Sequence, residues 1–138
     1  MNDQVKAFDL SQYELDDTAK MTVTTPKGDE MIGEDGVNPI VIEAWGPGTK
    51  EAVKAQHRAG QAAQRRLQDA WRQKVDSKAA EKADKERVDR AVAMTKRIHN
   101  LSVPPEEFFG NPKLGYVLRQ FEAWLDADAN FFSKSPTN

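Results

Sequence analysis

Few side chains in this sequence could do covalent or acid–base chemistry, and their spacing does not favour it. The two histidines, His57 and His99, stand far apart, each in a basic, helical setting. Neither has a His or Glu partner four residues away, the spacing that sets two ligands on one helix face. Two exposed helix histidines are the simpler expectation. Asp16-Asp17 and Glu34-Asp35-Gly36 offer carboxylates, yet the Asp-x-Asp-x-Asp-Gly pattern of a calcium loop is missing, and turn solubility accounts for them. Gly46-Pro47-Gly48 is no phosphate cradle, because Pro47 has no amide to donate and the Gly-Lys-Ser/Thr ending of a P-loop is absent. There is no cysteine, which removes disulfides, thiolate catalysis and cysteine-ligated zinc. The expectation is a protein that is not an enzyme and needs no cofactor or metal.

That leaves binding. Residues 49–74 carry seven Lys and Arg (Lys50, Lys54, Arg58, Arg65, Arg66, Arg72 and Lys74) against Glu51 and Asp69, or +5. Residues 1–48 carry three Lys against ten Asp and Glu, or −7. Such polarity lets the two segments attract each other, or lets each attract a partner. A basic helix can also meet phosphates. Here the charges read as spread around the helix, and the whole chain has a net charge of −2. A solvated or partner-facing helix is therefore favoured over a nucleic-acid module.

The elements that position these groups change period at one turn. Met21 to Thr25 alternates and is rich in β-branched residues, Glu30-Met31-Ile32 is a short strand, and Val37 to Trp45 completes an antiparallel meander. Gly46-Pro47-Gly48 ends it. Thr49 then caps a helix, and Glu51 places a carboxylate in its first turn. The fold class expected is α+β, with an acidic β-rich unit over residues 1–48, its sheet within 19–45, and a helical region over 49–138. Phe8, Leu10, Tyr13 and Leu15 tack the lead-in onto that sheet. Between Thr49 and Leu101 the only glycine is Gly60 and there is no proline. Ala63, Leu67, Trp71 and Val75 recur every four residues as a narrow stripe. The stripe fades from Asp76 to Arg87 and resumes over Val88 to Ile98, which favours two helices with a bend near Asp76-Ser77. Pro104-Pro105 stops the second. Asn111 and Pro112 open a last helix over about 112–129, whose apolar face is Leu114, Val117, Leu118, Phe121, Trp124 and Leu125.

Most of the aromatics crowd the end of the chain, at Phe108, Phe109, Tyr116, Trp124, Phe131 and Phe132. Packing of Leu118, Phe121 and Trp124 on the first helix as core is the favoured reading, but the count is more than one amphipathic helix needs, which leaves part of the cluster open to binding. An apolar fraction of 38% and a charged fraction of 30% imply a modest core and much solvated surface. With no basic flank before an apolar run at the N-terminus, and no apolar stretch near the ~20 residues that span a bilayer, the expectation is a soluble cytoplasmic protein.

Three patches, in order, resemble the tail assembly chaperones of long-tailed (siphovirus-type) bacteriophages. The first is Ala7-Phe8-Asp9-Leu10 with the strand Met21 to Thr25. The second runs from Val41 through Trp45-Gly46-Pro47-Gly48-Thr49-Lys50-Glu51 into the Lys-, Arg-, Ala- and Gln-rich helix. The third runs from Asn111-Pro112 through Leu118-Arg119-Gln120-Phe121 to Asn130-Phe131. Members of that family often carry a strand between the helices, whereas Ala93 to Ile98 here reads as helix. The resemblance implies a non-enzymatic assembly factor of the host cytoplasm, absent from the mature virion. It would bind the tape measure protein and help recruit the tail tube protein, with self-association an additional option. A frameshifted, longer product is common among such proteins. A minor structural tail protein is the alternative. The residues expected to meet the partner are Leu67, Trp71, Arg65 and Arg66 on the first helix, and Phe121, Trp124 and Phe131 near the C-terminus.

Overall fold

The turn after Trp45 joins sheet to helix as its residue types require. An added Cβ at Gly46 would stand 1.9 Å from the Asp16 carbonyl oxygen, so only glycine lets the two backbones meet there. The Gly46 amide donates to the Asp17 carbonyl at 2.7 Å. The Thr49 hydroxyl donates to the Gly46 carbonyl at 2.8 Å and accepts the Ala52 amide at 3.2 Å, capping the helix that follows.

The computed structural model describes residues 8–72 and 79–134. The fold is α+β. Strands β1 (Thr18–Thr22) and β2 (Val41–Trp45) precede helices α1 (Lys50–Trp71) and α2 (Ala79–Met94). Strand β3 (Thr95–His99), α3 (Pro105–Gly110) and α4 (Gly115–Leu125) follow. The antiparallel sheet has the order β1-β2-β3, with Met21 opposite Ile42 and Ile42 opposite Ile98.

Its third strand corrects the sequence reading, since residues 95–99 are β and not the end of a helix. The Thr95 hydroxyl bonds back to the Ala91 carbonyl at 2.8 Å where α2 stops. Beyond it, β2 offers an unpaired edge, and a two-stranded sheet alone is marginal. Local propensity yields to that pairing. The segment Glu30-Met31-Ile32 is not a regular strand either. Met31 donates to the Val23 carbonyl at 2.9 Å and accepts from Ile40 at 2.7 Å, between isolated bridges Thr24–Glu30 and Ile32–Pro39. Pro39 has no amide to extend the ladder. A boundary at residue 48 therefore divides one sheet and one shared core.

Helices α1 and α2 are separate, as favoured; the bend placed at Asp76-Ser77 lies outside the described residues. They run antiparallel, joined by Arg66 and Glu86 at 2.6 Å. Helix α3 goes unanticipated, although Pro105 at its first position and Glu106 and Glu107 in its first turn are start signals. Helix α4 is shorter than expected. Asn111 caps a 3-10 turn over Pro112–Leu114 through the Lys113 amide, at 3.0 Å, before the α-helix begins. A second 3-10 turn, Asp128–Phe131, follows it.

The core lies between the inner face of the sheet (Met21, Ile42 and Ala44) and helices α2 to α4. Phe109, Phe121, Trp124 and Phe131 run through it with successive ring centroids 5.2, 6.2 and 5.0 Å apart. The lead-in is tied to the C-terminal segment rather than tacked to the sheet by its apolar residues. Asp16 donates its amide to the Phe131 carbonyl at 2.6 Å, and its carboxylate accepts the Ser133 amide at 2.9 Å. Leu15 packs against the core, while Phe8, Leu10 and Tyr13 are exposed.

Candidate functional site

Helix α1 is built from alanine and straight-chain residues, which lose little entropy in a helix. Its inner face is small. Ala52 and Ala55 are buried, Ala59, Ala62 and Ala63 are half-buried against α2, and no residue of α1 beyond Ala55 is fully buried. Leu67 is 64% exposed and Trp71 88% exposed. The stripe foreseen in the sequence therefore exists only in part. Ala63 turns toward α2, Leu67 and Trp71 face solvent, and Val75 lies outside the described residues.

Two of the cations expected to meet a partner do different things. Arg66 reaches inward to Glu86, whereas Arg65 is exposed and, among the described residues, forms no ion pair. Nor are the basic residues spread around the helix. At 3.6 residues per turn, Lys50, Lys54, Arg58, Arg65 and Arg72 fall within an arc of about 80°. All five are exposed. Lys74 is outside the described residues.

The aromatic residues expected at the interface sit elsewhere. Phe121 and Phe131 are fully enclosed, at 0% exposure each. Trp124 is half-buried between them. Phe121 and Phe131 are core residues and cannot touch a partner in this fold. Most of the C-terminal cluster is taken up in packing, because α3, which the sequence reading omits, brings Phe108 and Phe109 in to cover it; Phe132 is the member left exposed. Conversely, Val53, 56% exposed, belongs with Leu67 and Trp71 and went unnoticed. Its spacing of fourteen residues before Leu67, two heptads, is the signal that could have found it.

The polar clusters are structural. Asp35 accepts from the Val37 and Asn38 amides at 2.9 and 2.8 Å and from the Asn100 side chain at 3.0 Å. Those bonds, that of Asn100 first, hold its carboxyl far below the usual carboxylate range. Asn100, at φ 68°, thereby pins the turn of residues 33–38 to the end of β3. On the outer sheet face, His99 lies 2.9 Å from Glu43, and Lys96 stands 3.7 Å from Glu43 and over the Trp45 ring. The His99 contact is the main reason the Glu43 carboxyl is lowered. Among the described residues no group of three or more His, Asp or Glu is placed to hold a metal, and no helix is long and apolar enough to cross a membrane.

Comparison of the chain with protein-family models, curated proteins and solved structures gives no match.

Proposed function

We propose that this chain is a non-enzymatic tail assembly chaperone of a long-tailed bacteriophage. It binds the tape measure protein in the host cytoplasm, helps recruit tail tube subunits, and is left out of the virion. The observation that carries the reading is the exposure of Leu67 and Trp71 on a helix whose neighbouring face is already occupied by α2. Large apolar side chains left in water on a helix suit the capture of another helix. Two further features support it. The Gly46-Pro47-Gly48-Thr49 patch of the resemblance is the structural joint between sheet and helix. The segment between the helices, where the sequence departs from the family pattern, is a strand, β3.

Co-expression with the tape measure protein, followed by pull-down, tests the reading. The tape measure protein should be soluble and co-purify with this chain, and should aggregate without it. Equal solubility with no co-purification overturns the proposal. Mass spectrometry of purified virions separates a chaperone, absent from the particle, from a minor tail protein, which is present.

A further inference from the structure

We infer that α1 carries a docking face for one class of partner, an amphipathic helix whose apolar seam is flanked by carboxylates. This rests on the reading of the chain as a helix-binding factor, and it names the surface and the chemistry it selects. Val53, Gly60, Leu67 and Trp71 follow one another at heptad-compatible spacing and fall within an arc of about 40° on an α-helix. All four are exposed. No Lys, Arg, Asp or Glu lies between them on that arc, and Gln56 and Gln64 border it, one on each side.

Gly60 is the informative position. Glycine weakens a helix interior relative to alanine. Here it gains nothing from its own fold, because an added Cβ would meet no atom within 4 Å and its φ is not positive. A glycine midway along an exposed apolar stripe is accounted for by a second backbone that comes close.

Charge identifies the visitor. The exposed ridge of Lys50, Lys54, Arg58, Arg65 and Arg72 extends for about 33 Å, its centre about 120° round the helix from this stripe, with Lys50 and Lys54 near Val53 and Arg72 near Trp71 closest to it. None of the five is ion-paired among the described residues. A partner seated on the stripe therefore meets Lys50 and Lys54 at one end and Arg72 at the other, which carboxylates complement. A second copy docked antiparallel would set Lys50 and Lys54 of each chain against Arg72 of the other, cation opposite cation. Duplex DNA would use the ridge but has no use for Val53, Gly60, Leu67 and Trp71.

Two synthetic three-heptad peptides with the same Leu/Ala seam, one flanked by Glu and one by Lys, test this by calorimetry and by the emission of Trp71. The Glu-flanked peptide should bind at least about tenfold more tightly, weaken with salt, and shift Trp emission to the blue. Gly60→Leu and Trp71→Ser should each weaken binding about tenfold or more. The melting temperature of Gly60→Leu should be unchanged or higher, which separates a blocked surface from a damaged fold. Equal affinity for the two peptides overturns the inference, as does binding indifferent to both variants. So does a short DNA duplex bound more tightly than the Glu peptide and unaffected by Trp71→Ser, or dimerisation of the chain that Trp71→Ser abolishes. If the peptide binds as expected but the tape measure protein never co-purifies, the chaperone reading fails and the surface stands. If the tape measure protein co-purifies equally with wild type and both variants, the surface fails and the chaperone reading stands.

Discussion

Helices α1 and α4 both carry Leu and Trp at helical spacing, and they use them in opposite ways. In α4, Val117, Leu118, Phe121 and Leu125 are buried and Trp124 is half-buried, met by α3, by α2 and by Phe131. In α1, Leu67 and Trp71 lie in water, and the burial falls on alanines. Residue type does not separate the two cases. What separates them is the width of the apolar arc and what else can reach it. The face of α4 is broad and aromatic, and the chain returns to it twice. The stripe of α1 is narrow, bordered by Gln64 and His57 and then by cations on one side and by the α2 contact on the other. Apolar spacing marks a face of a helix; whether the same chain covers that face depends on the neighbours.

Substitutions can break this contrast. Phe121→Ala, which removes an enclosed ring from the centre of the aromatic run, should cost about 3–5 kcal/mol in denaturant melts. A loss near that of a surface change would place Phe121 outside the core. Trp124→Ala should cost about 2 kcal/mol, less than a fully buried ring, because part of the indole is already solvated. Glu122→Gln breaks the ion pair that ties α4 to Arg87 of α2, whose guanidinium is raised chiefly by that contact. Both groups are partly exposed, so stability should fall by less than about 1 kcal/mol, and the difference should fade in high salt. Trp71→Ser should shift stability by no more than about 0.5 kcal/mol, despite deleting the same side chain that matters in α4. A larger loss would mean that α1 is covered within its own chain.

The polar turn over residues 33–38 offers a pH counterpart. The Asp35 carboxyl is lowered in the folded state, so its stabilisation is present at neutral pH and drains away as pH falls through and below the ordinary carboxylate range. Asp35→Asn should therefore lower the midpoint at about pH 7 and narrow the gap between midpoints at about pH 7 and pH 3. An unchanged gap would show that Asp35 keeps an ordinary pKa.

Local chemistry by itself determined the start of α1, the central strand β2, the separation of α1 from α2 and the apolar face of α4, and it found β1 three residues late, at Met21 to Thr25 instead of Thr18–Thr22. Each rests on contacts within a few residues, such as the Thr49 hydroxyl on the Ala52 amide, or on a repeat that one helix or strand must honour. The sequence also placed Leu67, Trp71 and Arg65 on a surface. Only the tertiary structure decided what depends on distant partners. Residues 95–99 became a strand because β2 has an edge to offer them. Phe121 and Phe131 became core because α3 and the sheet close over them. Gly46 has to be glycine because Asp16, thirty residues earlier, passes 1.9 Å from where a side chain would begin. Pairing and burial are decided by what else the chain brings to the same place, and a local pattern carries no record of that.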